Sequence, residues 1–452
     1  MLRGKKTSLA VLLLDIIALV GTFNAVGVLR GIYQLHGLIL SPLLVPCGLL
    51  IIALYLIDGY KLRTDMLSLD YASQHIIALI ATLIATLLIT FVLFPGGYPL
   101  QQSRAAIALS FLALAPLTLT YRRFLYGRYI AHRKDQCIVF LGDRGSAQEF
   151  TEECAVAGMT QTIYVASTEE NPTGTATAAP SLPKLLDELH AKKIVIEAIV
   201  VRESNRAVST DLSQQLIDLY FSGTPTYTLE LFHQIYWRKI PLYRLNQTWL
   251  FQEGFQIARE PAFERVKRLS DIFLSLFGLL LFSPVFVLAA AAVWAEDRGP
   301  VFFKQTRIGK NRVPFKVYKF RSMRENAAGD PYAQEGDKRI TRAGRFLRAT
   351  RIDELPQLLN VFNGEMSLIG PRAEWDKLVH DYERQIPCYH FRHLVRPGIT
   401  GWAQVNYPYG ANIGDTLRKL EYDLYYIRHF SFRLDASIVL KTLHVMLFGK
   451  GR

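Results

Sequence analysis

The chain is poor in cysteine, and the few cysteines it has are far apart. Its 452 residues include only Cys47, Cys137, Cys154 and Cys388, with no C-x-x-C pair. This spacing excludes a disulfide framework and a C-x-x-C zinc site. It is typical of reduced thiols in a protein that faces the cytosol.

One long tract has no acidic residue. Between Phe303 and Arg324 every charged side chain is basic: Lys304, Arg307, Lys310, Arg312, Lys316, Lys319, Arg321 and Arg324. The whole chain has a formal net charge of +13, which favours anionic partners such as nucleic acid, anionic lipid or a phosphorylated small molecule. Because the tract directly follows a long apolar run, we expect it to bind lipid headgroups, substrate phosphates or both, and we expect no nucleic-acid partner.

Apolar runs fill the N-terminal part of the chain. They cover residues 8–30, 38–57, 72–94 and 105–121, each near the ~20 residues needed to cross a bilayer. Basic residues precede the first run, lie between the second and third, and follow the fourth. The positive-inside rule therefore places both ends on the cytoplasmic side. We predict a four-helix transmembrane bundle over residues 1–130, with the first helix retained. Asp15 is expected to make a helix–helix contact, with a transport role as the alternative.

The middle of the chain alternates between strand-like and helix-like segments. Residues 131–258 include the apolar runs QCIVFL, QTIYVA and KKIVIEAIVV, separated by stretches such as LPKLLDELHAK. This alternation predicts a Rossmann-like α/β module with a parallel sheet. The turn Gly142-Asp143-Arg144-Gly145 lacks the full G-x-G-x-x-G pattern, so a plain strand–helix turn is favoured, with a bound nucleotide as the alternative. The polar stretch 167–183 is predicted to be a mobile loop.

A further apolar run differs from the first four. Residues 272–295 are 24 uncharged residues, long enough to span, yet basic residues flank both ends. Ser283-Pro284 lies in the middle, where proline removes a backbone hydrogen bond and breaks the helix. We therefore predict a re-entrant membrane helix over 267–296 that returns to the cytoplasmic face. A kinked spanning helix is the alternative, and it would place the following residues outside the cell.

The stretch RATRIDELPQLLNVFNGEMSLIGPR contains adjacent carboxylates in a basic surrounding. Pro356 suits the first turn of a helix, so Asp353 and Glu354 are expected at or before a helix start, in a positive field that keeps both ionised. An exposed acidic pair is usually only a solvated surface. Here the ionised pair suits Mg²⁺ binding together with phosphates, or nucleophilic attack on phosphorus. With Arg372 as a clamp for phosphoryl oxygens, the pattern indicates phosphoryl transfer at a membrane surface.

Several long motifs, in order, carry a family resemblance. They are KRLSDIFLSLFGLLLFSP, GPVFFKQTRIGKNRVPFKVYKFRSM, GRFLRATRIDELPQLLNVFNGEMSLIGPR and RPGITGWAQVNY. The stretch from about 262 to 452 resembles the catalytic domain of bacterial monotopic phosphoglycosyl transferases, the polyprenyl-phosphate sugar-1-phosphate transferases. A helical bundle followed by an α/β module resembles their large subgroup, which initiates exopolysaccharide or O-antigen synthesis. The C-terminal tail is most similar to the exosortase-associated type.

The resemblance implies a catalytic domain over residues 259–452 and a reaction. A UDP-sugar, with glucose or galactose as the common choice, would give its sugar-1-phosphate to undecaprenyl phosphate and release UMP. Asp353 would be the nucleophile of a covalent intermediate, and Glu354 would assist Mg²⁺ binding, so that both are metal ligands. Ser283 and Pro284 match the helix-breaking pair. Two further sets match family positions: Lys267, Arg268 and Asp271 at the polyprenyl phosphate, and Gln305, Arg307, Lys319, Arg321, Arg372 and Gln404 near substrate phosphates.

Other functions predict different behaviour. A conventional glycosyltransferase would release UDP and need no aspartyl nucleophile. A non-enzymatic scaffold would lose nothing on Asp353→Asn, and a dehydratase activity of the α/β module would require bound NAD. The resemblance also predicts the bacterial inner membrane as the location, with the catalytic domain on its cytoplasmic face. A homodimer is expected by analogy only.

Overall fold

The computed structural model forms two compact units, Met1–Arg238 and Lys239–Arg452. It describes residues 2–32, 38–61, 64–94, 96–133, 136–159, 161–166, 180–192, 194–202, 210–242, 261–324, 339–407 and 412–448. The predicted boundary near residue 258 lies outside these residues, as does most of the predicted loop 167–183.

Four helices open the first unit: α1 (Leu2–Leu29), α2 (Leu44–Leu56), α3 (Leu69–Leu88) and α4 (Arg104–Arg133). Among the described residues three stretches are long and apolar enough to cross a membrane, Ser8–Leu29, Leu69–Leu93 and Arg104–Ile130. The apolar stretch around α2 covers Ser41–Leu56, which at 1.5 Å per residue is about 24 Å, less than the ~30 Å of a hydrocarbon core. The protein is therefore membrane-associated, and a bundle of four spanning helices stays a prediction.

A buried ion pair joins α1 to α4. Asp15 and Arg122 are both fully buried, and the Arg122 guanidinium contacts the Asp15 carboxylate. Arg122 also donates to the Gly59 carbonyl and lies 3.3 Å from the Tyr71 hydroxyl. Buried charges need such partners. The helix–helix contact predicted for Asp15 is confirmed.

The rest of the first unit is a parallel α/β module. Its elements are β1 (Gln136–Leu141), α5 (Arg144–Val156), β2 (Thr162–Ala166), α6 (Leu182–Ala191), β3 (Val195–Val201), α7 (Thr210–Phe221), β4 (Thr226–Thr228) and α8 (Leu229–Phe232). The sheet has the order β2-β1-β3-β4, with all pairs parallel. Alternate β1 residues face α6 and α7 on one side and α5 and α8 on the other. Burial on both faces explains the continuous apolar runs, and the predicted parallel sheet is confirmed.

In the turn after β1, the Asp143 side chain occupies the N-terminus of α5. Asp143 caps α5, because its Oδ1 accepts from the Ser146 amide at 2.9 Å, and it also pairs with Arg202. A carboxylate thus occupies the helix N-terminus that a phosphate would need. This geometry favours the plain strand–helix turn.

The second unit begins with a bent helix pair. Its elements are α9 (Pro261–Leu281), α10 (Ser283–Asp297), β5 (Phe302–Ile308), β6 (Pro314–Phe320), α11 (Arg342–Ala349), α12 (Gln357–Asn363), β7 (Ser367–Ile369), α13 (Asp376–Gln385), β8 (Gly398–Thr400), α14 (Trp402–Asn406), α15 (Ile413–Arg428) and α16 (Phe432–Phe448). Helices α9 and α10 bend by 61°. The Ser283 hydroxyl donates to the Leu280 carbonyl at 2.8 Å, and Pro284 lies in the first turn of α10, where its missing N–H costs no helical bond. The predicted position of the break is confirmed.

Two small sheets and a helical core complete this unit. Strands β5 and β6 form an antiparallel hairpin, and β7 and β8 form a short parallel pair. Trp402, Tyr389, Leu424 and Ile438 belong to the main apolar core among the described residues of this unit, to which α14, α15 and α16 contribute. This core supports β7 and β8, so the segments next to these strands are placed on a rigid base.

Candidate active site

The acidic pair lies in a short turn between α11 and α12. A 3₁₀ turn covers Ile352–Glu354, and Arg351 enters it with a left-handed φ of 59°. Pro356 directly precedes α12 as its N-cap residue, so Asp353 and Glu354 precede the helix start as predicted. Both residues are only 8% exposed. The pair is therefore not a solvated surface, and burial of two adjacent carboxylates requires compensation from neighbouring charges.

Three cations surround the Glu354 carboxylate. Lys319, brought by β6, donates to its Oε1 at 2.7 Å, and an Arg372 nitrogen lies 3.5 Å from the same oxygen. Arg351 lies 4.0 Å from Oε2. Burial by itself raises the pKa of Glu354, but Lys319 and Arg372 outweigh it and hold that pKa well below its ordinary value. Glu354 is therefore a stable anion that orders the cations around it.

Asp353 has a different environment. Among the described residues its Oδ1 is buried without a hydrogen-bond partner. Burial and the adjacent Glu354 raise the pKa of Asp353, against the opposing effect of Lys319 and Arg351. The sequence predicted a positive field that keeps both carboxylates ionised, but the surrounding cations lower the pKa of Glu354 alone, while that of Asp353 is raised. A buried carboxylate oxygen without a donor costs stability, and such groups are frequent where a ligand or reacting atom binds.

Arg307 lies beside Arg372. Its guanidinium donates to the Gln305 side-chain oxygen at 2.6 and 2.9 Å and to the Ala373 carbonyl at 2.6 Å. Burial lowers the pKa of Arg307, and the charge of Arg372 lowers it further. The structure therefore brings Arg307, Lys319 and Arg372 to the acidic pair, where they form a cationic wall suited to phosphate oxygens.

Two other predicted phosphate ligands are held by backbone groups. Arg321 is buried and donates from Nε to the Pro300 carbonyl at 2.6 Å. Gln404 donates to the Ile399 carbonyl at 3.1 Å, while its Oε1 is buried without a partner among the described residues. Phosphate binding by Arg321 and Gln404 stays a prediction.

The residues predicted at the polyprenyl phosphate anchor α9 within the second unit. Lys267 pairs with Asp435, and Asp271 accepts from the Leu368 amide at 3.1 Å. Arg268 donates to the carbonyls of Val361 and Phe362. These last two carbonyls lie at the C-terminal end of α12, where a cation is favourable. All three side chains have internal partners, and contact with a lipid phosphate stays a prediction.

The donor set suits a metal ion that is shared with substrate. The described residues contain no group of three or more His, Cys, Asp or Glu side chains that could hold an ion. Mg²⁺ in phosphoryl-transfer sites uses one or two carboxylates together with phosphates and water. The unpartnered Oδ1 of Asp353, next to Glu354, fits such a partial site.

Sequence reasoning missed Arg392. Its side chain is buried, pairs with Asp423 at 2.9 Å and donates to the Arg372 carbonyl at 2.9 Å. The only sequence signal is its position four residues before the RPGITGWAQVNY motif. Nothing in the composition distinguishes it from the many surface arginines of this basic chain.

Comparisons with known proteins point to one family. A family described as "Bacterial sugar transferase" matches residues 262–449. A UDP-N-acetylgalactosamine-undecaprenyl-phosphate N-acetylgalactosaminephosphotransferase of Aeromonas hydrophila is 38% identical over 270 residues, 59% of this chain and 63% of that protein. A UDP-glucose:undecaprenyl-phosphate glucose-1-phosphate transferase of Escherichia coli (strain K12) is 46% identical over 184 residues, 39% of each chain. The exopolysaccharide production protein PSS of Rhizobium leguminosarum bv. phaseoli is 43% identical over 195 residues, 41% of this chain and 98% of that protein. The matches thus span less than two thirds of the first two relatives.

Proposed function

The chain belongs to the bacterial sugar transferase family, and we propose that it transfers a sugar-1-phosphate from a UDP-sugar to undecaprenyl phosphate and releases UMP. One observation carries the proposal: Asp353 is a buried carboxylate with an oxygen that has no partner among the described residues, and it is adjacent to Glu354, whose carboxylate is surrounded by three cations. The names of the relatives from Aeromonas hydrophila and Escherichia coli support the donor and acceptor classes.

The proposed first step forms a bond from an Asp353 oxygen to the phosphorus that carries the sugar. The bond from that phosphorus to the oxygen of UMP breaks, and UMP leaves with the electron pair. In the second step a phosphate oxygen of undecaprenyl phosphate attacks the same phosphorus. The bond to Asp353 then breaks, which restores the carboxylate and yields undecaprenyl diphosphate-sugar. Two steps at one carboxylate avoid placing both anionic substrates on one phosphorus at once.

The cationic wall has the complementary role. Lys319, Arg372 and Arg307 orient the diphosphate and offset the charge that develops on the departing UMP. Glu354 fixes Lys319 and Arg372 before substrate arrives, so little reorganisation is needed during the reaction. Asp353 and Glu354 would hold Mg²⁺, which when bound neutralises phosphate charge.

We also propose that α9 and α10 form a re-entrant pair in the inner membrane, with the second unit on the cytoplasmic face. The 61° bend at a helix-breaking pair and the basic residues at both ends support this placement. Val313, in the connection between β5 and β6, is 61% exposed. In a cysteine-free variant, Val313→Cys should react with an impermeant maleimide only after the membrane is opened. Labelling in intact cells would favour the kinked spanning helix.

The reaction is tested by nucleotide release from polymer-solubilised protein. The assay contains Mg²⁺, undecaprenyl phosphate and a panel of UDP-glucose, UDP-galactose and UDP-N-acetylgalactosamine, because relatives are named for both glucose and N-acetylgalactosamine. We expect UMP with one donor and near-complete loss in Asp353→Asn, with thermal stability unchanged or raised, since that change removes a buried charge. Release of UDP would identify an ordinary glycosyltransferase, and full activity of Asp353→Asn would exclude Asp353 as the nucleophile. A scaffold would release neither nucleotide.

The physiological setting follows from the same proposal. The product would be the first membrane-bound intermediate of exopolysaccharide or O-antigen synthesis, which is consistent with the name of the Rhizobium relative. A homodimer is also proposed by analogy. Mass measurement of the polymer-solubilised protein tests it, and a single-chain mass would exclude it.

A further inference from the structure

The backbone that carries Arg372 is held at four successive carbonyls. Those of Pro371, Arg372, Ala373 and Glu374 each accept a hydrogen bond. The donors are, in order, the Gly398 amide at 2.9 Å, the Arg392 guanidinium at 2.9 Å, the Arg307 guanidinium at 2.6 Å and the Ile308 amide at 3.1 Å. Two donors are backbone groups of neighbouring segments and two are arginine side chains. All four carbonyls of this segment are thus satisfied, and the segment places the Arg372 side chain at the acidic pair.

Arg392 is the more deeply buried of the two arginine donors. It is 6% exposed, and its guanidinium uses both ends. One nitrogen donates to the Tyr389 hydroxyl at 2.6 Å, while the other donates to both Asp423 and the Arg372 carbonyl at 2.9 Å. Asp423, on α15, offsets the charge of Arg392, and Glu374 lies 3.7 Å away. A buried guanidinium is tolerated only when a counter-charge and well-placed hydrogen-bond partners compensate it, as they do for Arg392.

We propose that Arg392 is a positioning residue, which with Asp423 fixes the Arg372 backbone so that the Arg372 side chain meets Glu354 and the substrate phosphate. The inference rests on the proposed function for its effect on turnover. Arg392 makes no described contact with Asp353 or Glu354, and its hydrogen bond to the Arg372 carbonyl is the route by which we propose that it acts on the acidic pair. A planar guanidinium can serve Tyr389, Asp423 and a carbonyl at once, which a lysine ammonium cannot do in the same geometry.

A double-mutant cycle tests this route. The variants are Arg392→Gln, Arg372→Ala and the two combined, assayed for UMP release in the full chain. We expect Arg392→Gln to lower kcat/KM by about 10-fold or more, a typical effect for a side chain that orients an active-site group. In the Arg372→Ala background the same change should lower it less than about twofold, because the group that it positions is gone. Arg384→Gln, on the exposed face of α13, is the matched arginine control and should change nothing.

If Arg392→Gln lowers kcat/KM by the same factor in the wild-type and Arg372→Ala backgrounds, the proposal is overturned and Arg392 has only a structural role. Where Arg392→Gln fails to fold, Tyr389→Phe takes its place, because it removes one acceptor of the guanidinium and keeps the ring. The same non-additivity with Arg372→Ala is then expected, and additivity again refutes the role.

Hydrogen–deuterium exchange separates this inference from the proposed function. If the wild type releases no UMP, the proposed function fails and the exchange data alone decide the positioning role. We expect Arg392→Gln, or Tyr389→Phe in its place, to speed exchange in residues 369–375 and 396–400, with residues 432–448 unchanged. Equal exchange in the variant and the wild type would overturn the positioning role, whatever reaction the site catalyses.

Discussion

Loss of the Lys319 charge is expected to destabilise the second unit through Glu354. Lys319→Met keeps the aliphatic stem and removes the ammonium that lies 2.7 Å from the Glu354 carboxylate. Both side chains are largely shielded from solvent, with 19% and 10% of their surfaces exposed. The substitution therefore leaves a buried carboxylate without its nearest counter-charge.

The size of the effect follows from what remains around Glu354. Breaking a buried ion pair on one side costs about 3–5 kcal/mol, and a hydrogen bond to a charged group contributes about 1.5–3 kcal/mol. Arg372 at 3.5 Å and Arg351 at 4.0 Å still compensate part of the charge. We therefore expect a loss of about 2–3 kcal/mol, which for a unit of this size lowers Tm by about 5–10 °C.

Thermal unfolding followed by tryptophan fluorescence measures this loss. Lys316→Met is the control, because Lys316 is an exposed residue of the same strand and its replacement should change stability by less than about 0.5 kcal/mol. The combined variant Lys319→Met with Glu354→Gln should recover at least half of the loss, since the unpaired charge is gone. A Tm change no larger than that of the control, or no recovery in the combined variant, would refute the reasoning.

Three further predictions concern other parts of the chain. Asp143→Ala should cost about 1 kcal/mol as a lost helix cap; desolvation raises the pKa of Asp143, but bonds from α5 and the charge of Arg202 outweigh it. That contribution is full above the ordinary pKa of 3.8 and is lost as pH falls through the lower folded value, so unfolding of the variant and wild type should converge in acid. Gly344→Ala would place a Cβ 2.1 Å from the Ser322 carbonyl oxygen, so we expect thermal unfolding to show a stability loss of about 1–3 kcal/mol. Unchanged stability would contradict this and show that α11 can shift to make room. Arg268→Gln should lower Tm even without lipid phosphate, because Arg268 has internal hydrogen-bond partners. If Arg268 only bound the lipid headgroup, the substitution would change only the KM for undecaprenyl phosphate.

Local patterns predicted the features that depend on neighbours in sequence. Proline chemistry placed the helix break at Ser283 and Pro284 and placed the acidic pair before a helix start. The apolar runs predicted a parallel sheet, because strands buried on both faces are apolar throughout. The helix–helix contact of Asp15 followed from the cost of a charge within an apolar run.

Features that depend on distant partners escaped prediction. Lys267 pairs with a carboxylate 168 positions away, and no local pattern connects the two. Arg321 belongs to a basic tract that suits phosphates, yet its Nε donates to the Pro300 carbonyl. The same holds for Arg392, whose role depends on which carbonyl lies beside it. Similar arginines in one sequence thus have different roles, because tertiary packing rather than residue type selects their partners.

The ion pair between Asp15 and Arg122 also constrains how the chain can be made. The two residues lie 107 positions apart, so ribosomes synthesise α1 well before its partner exists. An unpaired charge near the centre of an inserted helix costs about 2.5–3.5 kcal/mol. During that interval a membrane-inserted α1 would need Asp15 to be protonated, hydrated or shielded by the insertion machinery until α4 emerges. Truncation before residue 122 should therefore leave α1 poorly inserted, and the order of synthesis becomes part of how this protein assembles.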